Sequence, residues 1–125
     1  MREQTQMAST KVDGRFWLNI DGQSFAGSGR IQLLEQVALT GSISAAARAM
    51  QMSYKAAWDA IDAMNNRAQQ PLVLRQAGGP HGGGTSLTEY GRELIRQYRA
   101  AEAKHQAFLH RLSEHLPSPG KPEAE

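Results

Sequence analysis

A pair of short helices on either side of a tight turn is the feature that most constrains this chain. The pair is predicted by the run SISAAARAMQMSYKAAWDAIDAMNN, which begins at residue 42. The first half is rich in alanine, which has a high helix propensity, and Ser42 or Ser44 is placed to cap it. A two-residue break follows, and Ser53 is placed to cap a longer helix over residues 54–68. Two helices joined in this way indicate a helix-turn-helix.

The second helix of the pair has one apolar face, formed at helical spacing by Ala57, Trp58, Ile61, Met64 and Ala68. Anchoring that face, with small alanines packed behind it, would leave the first turn of the helix exposed on a rigid support. A helix N-terminus carries free N–H groups and a partial positive charge that suit phosphates, while neighbouring side chains can reach base edges. The pattern favours DNA as the partner, although tight helix pairs also occur in helical proteins that never bind it.

A hairpin and a helix are predicted before this pair. The residues RFWLNI, then Asp21-Gly22, then QSFAG form the hairpin signal, because an Asp-Gly pair between short apolar runs favours a two-residue turn. Ser28 is placed to cap a helix over residues 29–40, and Gly41 is placed to end it. The apolar face of this helix is predicted to be Ile31, Leu34, Val37 and Ala38.

A second hairpin is predicted after the pair, with strands at residues 71–76 and 85–87 and a glycine-rich tip at 77–84. Such a tip can approach a phosphate backbone as the wing of a winged helix, or it can be a plain surface hairpin. A nucleotide-phosphate loop is not indicated, because the Gly-Lys-Ser/Thr motif is missing. The order of elements predicts a mainly α fold with small β-hairpins: a winged helix-turn-helix with a long C-terminal dimerisation helix.

That last helix is predicted to be capped by Thr88 and to extend to Leu116. A helix of about 28 residues is ~42 Å long, more than a small domain can cover. We therefore expect a homodimer, with packing wholly on its own domain as the alternative. Charges on the opposite face (Arg92, Arg96 and Arg99) are expected to face solvent, or else phosphates. The apolar stripe assigned to dimerisation comprises Leu94, Tyr98, Ala101, Phe108 and Leu112.

Composition narrows the function classes. The net charge is +2 and the sequence pI about 9.2, which permits a nucleic-acid partner without requiring one. The chain lacks cysteine. On a helix, each of His105, His110 and His115 is rotated by ~140° from the one before it, so the three cannot bind one metal ion and no metal site is predicted. No catalytic group, cofactor site, secretory signal or run of about 18 apolar residues stands out. The sequence therefore predicts a cytoplasmic protein that is not an enzyme and does not bind membranes.

The residues from about 15 to 112 resemble the N-terminal domain of the ModE family of molybdate-responsive transcription regulators, and the fold is similar to the LysR-type DNA-binding domain. The most specific pieces are GSIS at residue 41, SYKAAWD at 53, and the glycine tip followed by LTEYG at 87. The resemblance implies DNA contacts at the start of the second helix and along the wing. The DNA-binding set expected on this basis is Ser44, Ser53, Tyr54, Lys55, Arg75, His81, Gly83 and Thr85.

The expected organisation is a disordered tail (1–14), a winged helix-turn-helix (15–87), a dimerisation helix (88–116) and a second disordered tail (117–125). The expected function is sequence-specific binding of double-stranded DNA by a homodimeric transcription regulator, with molybdenum-related genes as the targets that the resemblance suggests. The alternative is a winged-helix protein–protein interaction module without DNA binding. ModE-type sensors bind molybdate through C-terminal domains that these 125 residues do not contain, so direct molybdate binding is not expected.

Overall fold

The structure, a computed structural model, describes residues 9–76 and 84–119. The described residues are mainly helical with two small antiparallel hairpins, one before the first helix and one before the last, which confirms the predicted fold class. In chain order the elements are β1 (Leu18–Ile20), β2 (Gln23–Ala26), α1 (Ser28–Thr40), α2 (Ile43–Ala49), α3 (Tyr54–Arg67), β3 (Val73–Arg75), β4 (Thr85–Leu87) and α4 (Glu89–Glu114).

The chain forms two compact units, to both of which α4 contributes residues. One unit spans Phe16–Ala100, and the other combines the N-terminal segment up to Arg15 with the chain from Ala101 onward. The first unit contains an apolar core built by all three short helices, the hairpins and the start of α4. Its largest fully buried side chains are Ile31, Leu33, Leu34, Val37, Met64 and Leu72.

The first hairpin has the tight turn that its sequence predicts. Asp21 and Gly22 both have positive φ, 51° and 77°, and Ile20 pairs with Gln23 across them. Positive φ at both central residues is the two-residue turn whose twist matches that of paired strands. The hairpin buries Phe25 against the core of the first unit.

Helix α1 differs from the prediction at its start and on its apolar face. Gly27, not Ser28, occupies the N-cap position, and no side chain caps the helix. Ala38 is exposed, and Leu33 is buried in its place. The reason is tertiary: several elements surround α1, so its buried side extends beyond a single stripe. Gly41 ends the helix in the left-handed conformation, as predicted.

The helix-turn-helix forms as its local signals predict. Ser42 caps α2 by accepting a hydrogen bond from the Ala45 N–H, and Ser53 caps α3 by accepting one from the Ala56 N–H, both at 3.0 Å. The turn between the helices places Gln51 at a φ of 57°. The two helices pack closely because the buried residues between them are mostly small, namely Ala46, Ala47 and Ala57.

The β3–β4 hairpin, called the wing below, joins α3 to α4. Strand β3 is shorter than predicted, and residues 77–83 of the glycine-rich tip lie outside the described residues. Thr88 caps α4, since its Oγ1 accepts a hydrogen bond from the Gly91 N–H at 2.9 Å. The Leu72 carbonyl accepts from the Thr88 N–H, so α4 begins directly against the base of the wing.

The N-terminal half of α4 packs on its own domain, and this corrects part of the predicted dimer stripe. Tyr98 is only 2% exposed and stacks on Phe16 with ring centroids 4.8 Å apart, while Leu94 packs half-buried against the core. Tyr98 therefore completes the core of the first unit and is not available for a dimer seam, and Leu94 contributes part of its surface to the same core. Sequence periodicity could not distinguish packing on the helix's own domain from packing on a second chain, because both need apolar residues at the same spacing.

Arg99, expected to face solvent or phosphate, instead forms a two-pronged ion pair with Glu35 of α1. Its Nε donates to Glu35 Oε2 at 2.9 Å and its Nη2 to Glu35 Oε1 at 2.6 Å. Each of the two side chains is about one-third exposed. Hydrogen bonding from Arg99 lowers the pKa of the Glu35 carboxyl below its ordinary value of 4.5, against a smaller opposing effect of burial. The pair therefore fixes α4 to α1.

We expect Glu35→Gln to lower the free energy of unfolding by about 0.5–1 kcal/mol at pH 7, the upper range for partly exposed pairs. A carboxyl whose pKa is lowered by folding stabilises the protein above its unfolded pKa and loses that contribution as the pH falls through the folded pKa. The difference in the free energy of unfolding between wild type and Glu35→Gln should therefore shrink below pH 4.5. Urea denaturation from pH 7 to pH 3 measures this, and a difference that stays constant with pH would contradict it.

In the second unit, the N-terminal segment contacts the C-terminal half of α4. The Val12 N–H donates to the Ser113 Oγ at 2.8 Å, and a Cβ at Gly14 would lie 3.3 Å from the Leu109 side chain. Val12 and Gly14, which the sequence placed in a disordered tail, thus lie against the helix. Leu109 is buried there, whereas Phe108 and Leu112 remain 49% and 39% exposed.

Candidate nucleic-acid interface

The start of α3 is displayed to solvent. Its cap, Ser53, uses its hydroxyl oxygen to bind the Ala56 N–H, which holds the first turn in shape. The next two residues, Tyr54 and Lys55, are exposed, whereas Ala57 is fully buried beneath them. The helix is thus anchored from below and presents the side chains of its first turn, as the sequence predicts for a helix that reads a groove.

Within the part of the chain that the structure describes, Lys55 forms an ion pair with Asp59. Its Nζ lies 2.9 Å from Asp59 Oδ2, one helical turn further on. An exposed pair of this kind stabilises a helix by only about 0.3–0.5 kcal/mol. A phosphate or a base edge can therefore replace Asp59 as the partner of Lys55 at small cost.

An open cavity of about 160 Å³ joins the helix-turn-helix to the wing. It brings together four residues of the predicted DNA-binding set from four different elements. A cationic side chain, Arg75 at the end of β3, contributes to the lining, and hydroxyl groups complete its polar part. The residues of the cavity are Gly41, Ser42, Ile43, Ser44, Tyr54, Arg75, Gly84 and Thr85.

The remaining predicted residues are placed differently. Ser53 and Lys55 do not line the cavity but lie beside it on α3. His81 and Gly83 fall outside the described residues. Ser44 is exposed and its Oγ accepts a hydrogen bond from Arg48 Nη1 at 3.3 Å, so it does not cap α2. Arg48 is a further exposed cation on this side of α2, which sequence reasoning did not include.

Besides its bonds to the start of α4, the base of the wing is attached to the turn after α1 and to α3. On β4, the Thr85 N–H donates to the Gly41 carbonyl at 3.0 Å, so β4 is bound to the left-handed residue that ends α1. On β3, the side chain of Asn65 binds the main chain. Sequence reasoning missed Asn65, although one signal was present: it lies four residues after Ile61, on the buried face of α3.

Charge at this surface is mixed. Arg48, Lys55 and Arg75 supply positive charge, and the carboxylates of Asp59 and Asp62 lie on the same helix as Lys55. Among the described residues no group of three or more His, Asp or Glu side chains is placed to hold a metal ion. In the same part of the chain no helix is long and apolar enough to cross a membrane.

These elements define a winged helix-turn-helix. Residues 29–92 match the family model of the bacterial regulatory helix-turn-helix proteins of the lysR type, and the chain belongs to that family. The matched segment runs from α1 to the first residues of α4 and so includes the whole cavity. A family of regulatory proteins is not an enzyme class.

More particularly, the chain is similar to ModE proteins. It is 51% identical over 110 residues to the "molybdenum transport protein ModE" of Azotobacter vinelandii, covering 88% of this chain and 41% of that protein. It is 46% identical over 92 residues to the "DNA-binding transcriptional dual regulator ModE" of Escherichia coli K12, covering 73% of this chain and 35% of that protein. The chain thus spans less than half the length of these relatives.

A solved structure supports the fold. The crystal structure of ArgP from Mycobacterium tuberculosis matches with a TM-score of 0.50 and 23% identity, over 65% of this chain and 29% of that one. At this level of identity the match bears on the fold alone.

Proposed function

We propose that this chain binds double-stranded DNA as a homodimer and regulates transcription of molybdenum-related genes in the cytoplasm. Its α3 enters the major groove, with Tyr54 and Lys55 directed at base edges, and the wing lies along the adjacent phosphates. We call α3 the recognition helix from here on. The relatives' names, a molybdenum transport protein and a DNA-binding regulator, support the choice of target genes.

The cavity between the helix-turn-helix and the wing is the observation that carries the proposal. It is lined by Ser44, Tyr54, Arg75 and Thr85, and it lies beside the exposed first turn of the recognition helix, which Ser53 caps. A concave polar surface lined by an arginine suits a phosphate group, because a guanidinium can donate two parallel hydrogen bonds to phosphate oxygens. The expectation that these residues do not bind molybdate themselves stays a prediction.

Selection of bound fragments from a random duplex library, followed by titration of the selected duplex, tests DNA binding. The logarithm of the affinity should fall linearly with the logarithm of the salt concentration, because cationic side chains displace counterions from phosphates. Lys55→Ala should weaken binding by about 1–3 kcal/mol and relax the preference at one base position if Lys55 reads a base.

Arg67→Ala is the matched control, since it removes a cation from the opposite end of the same helix. It should leave the affinity within about twofold of wild type, like other exposed substitutions away from a contact. A wild-type chain with no detectable duplex affinity at low salt would contradict the proposal and favour a protein–protein interaction module.

A further inference from the structure

One polar side chain connects the recognition helix to the wing. Asn65 Oδ1 accepts hydrogen bonds from the Leu72 N–H at 2.8 Å and from the Val73 N–H at 3.3 Å. Its Nδ2 donates to the Val73 carbonyl at 3.1 Å. Both groups of the side-chain amide are therefore used on the two residues at which the wing begins.

These bonds replace a missing neighbouring strand. Val73 pairs with Leu87 in the two-stranded sheet, and its N–H and C=O point outward to Asn65, where an ordinary sheet would continue. Buried main-chain groups almost always have partners, and Val73 is buried. The amide of Asn65 thus fixes both the position and the direction of β3 relative to the recognition helix.

Arg75 depends on this placement. It lies two residues after Val73, and side chains at that spacing point to the same side of a strand. Arg75 lines the large cavity beside Tyr54, and it also lines a smaller cavity of about 60 Å³ that contains Asn65 and Trp58. Arg75 therefore lies on the strand that Asn65 binds, two residues after the bonded Val73.

We propose that Asn65 is a positioning residue for DNA binding: it holds β3 so that Arg75 meets a backbone phosphate while the recognition helix is seated in the groove. The inference rests on the proposed function. It adds a residue that does not touch DNA and that determines the spacing between the two contacting elements. Thr85 holds β4 against Gly41, and β3 pairs with β4, so Asn65 adds a direct bond from the recognition helix to the other strand of the wing.

A double-mutant cycle tests the inference on the duplex selected by the wild-type chain. The affinities of wild type, Asn65→Ala, Arg75→Ala and the double variant are measured at several salt concentrations. Asn65→Ala should weaken binding about tenfold, within the range of couplings found between interacting residues. It should also reduce the salt slope by about one for each phosphate that is no longer bound, as Arg75→Ala does.

The coupling is the readout that a merely structural role would not produce. In the Arg75→Ala background, Asn65→Ala should change the affinity by less than about twofold, since the guanidinium that Asn65 positions is already absent. Asn66→Ala is the matched control, because the adjacent amide is exposed and, among the residues that the structure describes, donates to the carboxylate of Asp62. Asn65→Leu, close in volume but without hydrogen bonds, should repeat the effect if Asn65→Ala does not fold.

Two results would overturn the inference in distinguishable ways. If the wild-type chain binds DNA and Asn65→Ala binds as well as Asn66→Ala, Asn65 has no positioning role. The same follows if the effects of Asn65→Ala and Arg75→Ala multiply in the double variant. Both results would leave the proposed function intact. A wild-type chain that binds no duplex at low salt would overturn the proposed function, and the role of Asn65 with it.

Discussion

Gly91→Ala should destabilise the protein by about 3 kcal/mol, the cost of forcing an extra carbon into a closely packed site. A Cβ at residue 91 would lie 2.4 Å from the Leu72 carbonyl oxygen and 3.2 Å from its carbonyl carbon. The oxygen cannot withdraw freely, because it accepts hydrogen bonds from the N–H and the Oγ1 of Thr88, and Leu72 itself is fully buried. Either the start of α4 or the base of the wing must move.

Gly29→Ala provides the matched control, since Gly29 also lies in the first turn of a helix and nothing is within 4 Å of its added Cβ. Alanine there should stabilise the protein by up to about 1 kcal/mol through helix propensity. Urea denaturation of both variants gives the free energies of unfolding. Equal stabilities for the two variants would show that α4 does not approach Leu72 closely enough to exclude a methyl group.

The parts of the fold that sequence reasoning predicted are those specified by neighbouring residues. Asp21-Gly22 sets a turn, Gly41 ends a helix in the left-handed conformation, and Ser42 and Ser53 begin helices, all within three or four residues. The spacing of Ala57, Ile61 and Met64 likewise gave the buried face of α3, because a helix with one buried side repeats at that spacing.

What escaped prediction depends on residues distant in the chain. Leu33 is buried and Ala38 exposed because other elements surround α1, and Tyr98 is buried because Phe16 stacks on it from 82 positions away. Asn65 binds a strand that begins after the next turn, and no local rule assigns a helical asparagine that role. At the candidate site, the sequence predicted four of the residues that line the cavity, whereas the cavity itself depends on the contact between the wing and Gly41, which lie far apart in the chain.

Phe108→Asp should convert the proposed dimer to monomer and lower the affinity for a two-half-site operator by about 10²–10⁴, the factor that linking two binding events supplies. Phe108, Leu112 and Leu116 are large apolar side chains left 39–49% exposed on the C-terminal half of α4 and just beyond its end. With Ala101, also exposed, they recur at the spacing of one helix face, and an exposed apolar face of this kind marks an interface. A buried carboxylate in that interface would have no partner.

Gln106→Asp is the matched control for that variant. It introduces the same charge two residues away, ~160° around the helix from Phe108, at another exposed position. It should still dimerise, because its carboxylate stays in water.

Sedimentation at micromolar concentration, with titration of an inverted repeat and of a single half-site, decides the matter. A two-fold dimer presents two copies of the Ser53–Ala56 helix start, so the preferred operator should be an inverted repeat with half-sites about 34–36 Å apart or a multiple of that distance. Phe108→Asp should bind the single half-site with wild-type affinity. It should lose only the additional affinity that wild type gains from binding two half-sites at once. A wild-type monomer, or a Phe108→Asp variant that still dimerises and keeps full affinity for the inverted repeat, would exclude this face of α4 as the dimer interface.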